Sequence, residues 1–415
     1  MGSKIQLLAH GVQDRFLFAE ANPMDSEAKP ASMYGSNPFI HRYNRTMNIM
    51  SDHKELVFAN KPQFGKSTYC VVPNLGAYLQ QLYIRIRLPS LVPSNGTTSA
   101  WTNAIGFAII KQITLEIGGV VHGSLTAGAL DLMNETLFQT AEKEVHRRMV
   151  GKFDFFTYSQ TGPNRFGLNE EEVFALLPFW FTKSHAEALP LGAMSASDVI
   201  IRVTFADFNE CVVYDGSTPP IFSEIKSASI LAKYHHLDDE YVQTNMIGKS
   251  LLYLANQIQI KTEYIPPNRT GFHIELEFKH PVSCILWAFV EEESESNNDW
   301  FNYTRRSDGG AIMESARFEL EGFPRTEMLP ETHYRILQPL ENSYCASEKA
   351  VYQYNFGQGL RYGTSPSGSV NFSRLDKAIM YINIRGGPPC RICLVALNWN
   401  MFIVNRGLSS MMFHA

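Results

Sequence analysis

Hydrophobic and polar positions alternate with a period of two through much of the chain. Leu82, Ile84, Ile86 and Leu88 are interleaved with Tyr83, Arg85 and Arg87, and Val199, Ile201, Val203 and Phe205 with Ile200, Arg202 and Thr204. Phe272, Ile274, Leu276 and Phe278 alternate in the same way with His273, Glu275, Glu277 and Lys279. Successive side chains of an extended chain point to opposite faces, so this pattern predicts antiparallel strands with one face in a core. Pro- and Gly-rich turns at 73–76, 93–96, 216–220 and 386–389 separate the strands with few helical interruptions, which reads as β-sandwich and not as alternating α/β. One stripe has helical spacing: Leu130, Met133, Leu137, Ala141, Val145 and Met149, with Glu142, Lys143, Arg147 and Arg148 on other sides. It predicts a helix laid against the sandwich.

The pattern repeats once. Ile113–Gly119 and Ala316–Gly322 are both alternating strands that end at glycine, and each is followed later by another strand, Val199–Phe205 and Ala378–Ile384. At 415 residues the chain exceeds the size at which one core usually stops growing, so two domains are expected. The polar stretch Asp238–Asn245 and the turn Gly248-Lys249-Ser250 place their boundary between about Asp238 and Leu251. The resulting division is an N-terminal segment 1–24, a first domain 25–243 and a second domain 244–415.

Composition narrows the function classes. With 45% hydrophobic and 19% charged residues the chain is a packed globular protein, and a net charge of −5 supplies no electrostatic reason to coat nucleic acid. Six cysteines (Cys70, Cys211, Cys284, Cys345, Cys390, Cys393) are too sparse for a disulfide framework, so reduced thiols are expected. The N-terminus has no long apolar signal region, Gln6 stands where a myristoylation motif needs Ser or Thr, and no apolar run is long enough to span a membrane. The chain is expected to be soluble on its own.

Candidate chemistry is thin. Gly65-Lys66-Ser67-Thr68 has Asn60 where a phosphate-binding loop needs its first glycine. His235-His236 with Asp238, Asp239 and Glu240 could ligate a metal but reads better as a polar domain linker. Cys390 and Cys393 lack the second pair of a zinc site, and the acidic run Glu291–Glu295 reads as a solvated loop and not as a calcium site. No catalytic motif appears, so no catalytic, cofactor-binding or metal residues are assigned and no enzyme is expected. Of six Asn-x-Ser/Thr triplets, Asn95 and Asn302 are the candidate glycosylation sites. Trp300, Tyr303 and Tyr362, read as exposed-loop aromatics, keep open a carbohydrate-binding β-sandwich as an alternative.

The stretch Ser365–Asp376 joins a turn to a strand entry: Pro366 presets one dihedral, Gly368 permits a strained one, Asn371 and Asp376 can bond nearby amides, and Arg374 with Asp376 forms a buried-looking pair. The run Pro366, Gly368, Asn371, Phe372, Ser373, Arg374, Asp376 resembles a signature of the major capsid proteins of nucleocytoplasmic large DNA viruses. Further segments resemble the same family in its order: Leu7–Asp14, Asn37–Ile40 with Arg42 and Tyr43, Leu115–Gly119, Leu189–Leu191, Phe278–Pro281 with Trp287–Phe289, and the ending Asn398–Arg406. The resemblance implies an all-β fold of two consecutive eight-stranded antiparallel jelly-roll sandwiches with a few short helices. It implies a structural role in homotrimeric capsomers of near-sixfold outline that tile an icosahedral shell, with segment 1–24 facing the interior. The implied partners are other copies of the chain, minor capsid proteins and an internal membrane, without specific nucleic-acid binding; the implied setting is the virion, assembled in the host cytoplasm. The short external loops and a loosely matching C-terminus leave room for a minor or specialised capsomer of the same fold.

Overall fold

The computed structural model describes residues 48–94, 98–152, 167, 169–215, 218–343, 346–358 and 366–413. The N-terminal segment, Asn95, Cys345, Tyr362 and Ser365 lie outside the described residues.

The first half contributes β1 (Met50–Val57), β2 (Ser67–Val72), β3 (Tyr78–Leu88), β4 (Thr98–Trp101), β5 (Ile110–Ile117), β6 (Val120–Thr126), β7 (Glu171–Leu176), β8 (Val199–Phe205), β9 (Val212–Asp215) and β10 (Ser227–His236). They form two antiparallel sheets, β1-β10-β3-β7 and β2-β8-β5-β6, with β4 and β9 paired separately. The second half contributes β11 (Ser250–Ile265), β12 (Gly271–Glu275), β13 (Pro281–Glu291), β14 (Met313–Leu320), β15 (Phe323–Pro324), β16 (Leu329–Pro330), β17 (Val351–Asn355), β18 (Val370–Asn371), β19 (Ala378–Ile384), β20 (Cys390–Asn405) and β21 (Leu408–Met411). Its sheets are β11-β20-β13-β17 and β12-β19-β14-β15. Leaving out the accessory strands, both halves have one order: first, eighth, third and sixth strands in one sheet, second, seventh, fourth and fifth in the other. The chain therefore folds as two consecutive eight-stranded jelly rolls, roll 1 and roll 2.

The repeat seen in the sequence is the same hairpin in each roll. β5 turns into β6 at Gly118 and Gly119 (φ 59° and 80°), and β14 turns into β15 at Glu321 and Gly322 (φ 53° and 78°). Positive φ at both central residues gives a turn whose twist matches that of the flanking strands, and glycine adopts it without steric cost. Val199–Phe205 and Ala378–Ile384 likewise occupy the same place, pairing with β5 and β14 respectively.

Two expectations are corrected. The helical stripe is two helices, α1 (Ala127–Leu137) and α2 (Thr140–Met149), because Phe138 is extended and Gln139 with Glu142 forms a capping box that starts a new helix. Val145 on α2 is exposed, so the stripe meets the core through α1. His235 and His236 are no linker; they end β10, both buried. Helix α3 (Asp239–Asn245) follows and leads to β11.

Candidate structural site: the junction of the rolls and the signature loop

α1 is amphipathic in an unusual way: its buried side carries Asp131 and Glu135 along with Leu130, Leu132 and Met133. Four residues apart, the two carboxylates lie on one face of the helix. Buried charge is tolerated only when paired and hydrogen-bonded. Both partners and donors come from two distant parts of the chain. From roll 1, Lys152 Nζ donates to Asp131 Oδ1 at 2.7 Å and to Glu135 Oε1 at 2.5 Å, and Lys143 Nζ lies 3.1 Å from Glu135 Oε2. From roll 2, the Tyr303 hydroxyl and Lys349 Nζ donate to Asp131 Oδ2 at 2.8 and 3.1 Å, and Ser347 Oγ donates to Glu135 Oε2 at 2.8 Å. Lys349 also donates to the Phe301 carbonyl and sits over the Tyr303 ring.

The cluster is electrostatically closed. Burial pushes the carboxyls of Asp131 and Glu135 up, and the neighbouring ammonium groups, led by Lys152, outweigh it, so both are held below their ordinary range. Burial would pull Lys152 down, yet the two carboxylates raise it. For Lys349 burial wins, and its ammonium is lowered to about 8. Burial, then Asp131, raise the Tyr303 hydroxyl well above its usual value.

Around this cluster the rolls interlock. The segment after β13 begins with α4 (Glu292–Ser296) and reaches into roll 1: Asn298 Nδ2 donates to the carbonyls of Asn209 and Val212, Trp300 Nε1 donates to the Glu210 carbonyl, and Thr102 Oγ1 donates to the Asn298 carbonyl. On the opposite side the Ala196 amide donates to the Gly407 carbonyl and the Ser409 amide to Ser197 Oγ. Between them roll 1 covers the outward face of the β11-β20-β13 sheet. The Trp180 ring packs tilted at 5.0 Å from Phe402 and 6.4 Å from Tyr253, and the His122 ring lies 5.7 Å from Phe402.

These contacts correct two readings. Tyr303 is buried and Trp300 is half-buried with its indole nitrogen engaged, so neither is an exposed aromatic for stacking on sugars. The acidic run is not a free solvated loop: Glu291 is buried and accepts the Arg306 amide, and the rest forms α4. His235 and His236 diverge, His235 bonding Ser51 and Gln80, His236 bonding Asp52. Among the described residues no group of three or more His, Cys, Asp or Glu side chains is placed to hold a metal ion. Asn302, the glycosylation candidate within the described residues, has its side chain engaged at both ends, donating to Asp299 and accepting from Thr304.

The signature residues are spread along one loop of roll 2. Gly368 (φ 142°) passes against Gly357 so closely that a Cβ on it would lie 2.8 Å from the Gly357 Cα. Asn371 accepts the Ser373 amide, as the sequence suggested. Phe372 is buried against Phe278 and Phe356. β18 pairs with the start of β13, Pro281 opposite Asn371, and the His280 amide donates to Ser373 Oγ at 2.8 Å. Thus the signature and the Phe278–Pro281 segment, both quoted for the same resemblance, meet in space. Pro366 leads into this turn and is exposed. Arg374 and Asp376 are exposed and not a buried pair; the Asp376 amide instead donates to Glu321 Oε1, tying the loop to the β14–β15 hairpin. The loop is a structural staple.

Sequence reasoning passed over the junction cluster, although Asp131 and Glu135 inside the apolar stripe of α1 were a visible signal.

A family model described as major capsid protein N-terminus matches residues 38–244, and one described as large eukaryotic DNA virus major capsid protein matches residues 243–388. The chain belongs to this capsid protein family. It is 24% identical to the major capsid protein of Pyramimonas orientalis virus, with 99% of both chains covered, and 22% identical to that of Paramecium bursaria Chlorella virus 1, covering 92% of this chain and 87% of the relative. Among solved structures, the PBCV-1 virus capsid gives a TM-score of 0.77 at 19% identity, covering 91% of this chain and all of the other. The Faustovirus major capsid protein gives 0.71 at 11% identity, covering 89% and 93%. The two family matches meet within α3, and the structural likeness covers both rolls.

Proposed function

We propose that this chain is a structural subunit of the outer shell of a large DNA virus and works as a closed ring of three copies. The observation that carries the reading is the junction itself: two rolls of identical strand order are fastened laterally by a buried charge cluster and by hydrogen bonds at both ends. Two similar wedges per chain, repeated three times head to tail, give six nearly equivalent sides. Such a block tiles a surface. The work is mechanical, so the reading assigns no enzymatic step and no cofactor, and the acidic chain needs no grip on the genome.

The domain limits 25–243 and 244–415 belong to this proposal, as does an inward-facing segment 1–24 directed at minor capsid proteins or an internal membrane; deletion of residues 1–20 is expected to impair shell assembly more than ring formation. Light scattering on the purified chain at native pH tests the ring. Three chain masses are expected, and a stable monomer at micromolar concentration overturns it.

A further inference from the structure

This inference rests on the ring reading and assigns the surfaces that close it. Within one chain, the β5–β6 hairpin, α1 and the 180–187 segment of roll 1 lie on the outward face of the β11-β20-β13 sheet of roll 2. That contact is heterologous: an edge-and-helix face of one roll meets a sheet face of the other. The topologically matching pieces of roll 2 are the β14–β15 hairpin, β16 and the helical turns His333–Leu337 and Gln338–Asn342. In the single chain they face solvent, and they are apolar there: Phe323 is 77% exposed, with Met328, Ile336, Leu337 and Leu340 also exposed. Clustered exposed apolar side chains mark interaction surfaces.

The matching receiver is apolar and partly exposed. The outward face of the β1-β10-β3-β7 sheet carries Val57, 79% exposed, with Tyr83, Phe174 and Leu231 half-buried beside it. Polar groups on this face are already paired among themselves: Arg85 bonds both Glu55 and Glu172, Arg87 bonds Glu172, and Ser229 bonds Glu55. Covering them therefore strands few unpaired charges.

We infer that the 323–340 face of roll 2 docks on the outward β1-β10-β3-β7 face of roll 1 in the next copy of this chain, repeating between chains the contact that joins the rolls within one. Each chain then has one donor face and one acceptor face, and a head-to-tail series of such contacts closes as a ring.

The test uses two variants of the full chain, a donor-dead Phe323→Asp/Leu337→Asp and an acceptor-dead Val57→Asp/Leu231→Asp, compared with the wild type by light scattering. Each variant alone is expected to be monomeric with wild-type circular dichroism, and an equal mixture is expected to form one-to-one dimers and no trimers, since one intact donor meets one intact acceptor. Either variant remaining trimeric overturns the surface assignment and leaves the ring standing; a monomeric wild type overturns the ring as well. Should a variant fail to fold, oxidation of Met328 in the unaltered chain decides the matter: it is expected to be several-fold slower in the trimer than in the diluted monomer, and equal rates overturn the assignment.

Discussion

The β1-β10-β3-β7 sheet of roll 1 and the β11-β20-β13-β17 sheet of roll 2 have the same strand order and different side-chain patterns. In β3 the side chains alternate, Leu82, Ile84 and Ile86 buried against half-exposed Tyr83 and Arg85. In β13 every residue from Cys284 to Phe289 is buried, and so is β20 from Leu394 to Asn398. The difference is what lies outside each sheet. Roll 2 has roll 1 against its outward face, so both faces of its central strands are dry and the strands read as apolar runs; among the described residues, roll 1 has only the 180–187 segment of its own chain there. The same fold therefore carries one sheet covered on both faces and one that, on the ring proposal, another copy covers.

The comparison can be broken most forcefully at the junction. Lys152→Met leaves Asp131 and Glu135 buried without their shared cation and is expected to cost about 3–5 kcal/mol in chemical denaturation; a loss below about 1 kcal/mol would mean that the cluster is not closed as described. A matched pair of truncations sharpens the contrast between the sheets. The Lys183 charge of roll 1 acts on the Cys284 thiol, and Leu286, two residues further along β13, shares that face and is fully buried; Leu286→Ala is therefore expected to cost about 2–5 kcal/mol, whereas Leu231→Ala on the open sheet is expected to cost about 1 kcal/mol or less in the monomer. Equal costs would erase the distinction.

A smaller effect sits at the rim of the open sheet. His235 is buried, its ring 5.3 Å from His185, and burial, then the charges of His185, Lys233 and His236, lower it to about 4 from 6.5. Because the folded state binds fewer protons than the unfolded state between those values, stability is expected to fall as pH drops from 6.5 towards 4. His235→Gln should flatten that slope in denaturation curves taken across the window; an unchanged slope would assign it to other groups. The smallest effect is expected in the signature loop, where Asn371→Ala removes the side-chain bond to the Ser373 amide and should cost about 1 kcal/mol.

Much of this was legible in the sequence. Two-residue alternation located β3, β8 and β12, and the paired motifs at Ile113–Gly119 and Ala316–Gly322 marked the same hairpin in each roll, because local pattern and turn chemistry decide such elements. What local pattern cannot carry is the partner across the fold. Tyr303 and Trp300 look like loop aromatics until Asp131 and the Glu210 carbonyl arrive from roll 1, and His235 and His236 look like a linker until β1 pairs beside them. Arg374 and Asp376 looked buried because the motif is compact, yet it is Phe372 and the Gly368–Gly357 approach that hold that loop.

The central claim is that the sheet left open in roll 1 is covered by roll 2 of the next chain just as roll 2 is covered within its own. A density map of the purified oligomer tests it most directly. The account predicts six similar wedges around a threefold axis, with the Phe323–Leu340 segment lying over Val57 and Leu231 of the neighbouring copy; a ring in which that sheet faces solvent, or one joined through two identical faces, would contradict it.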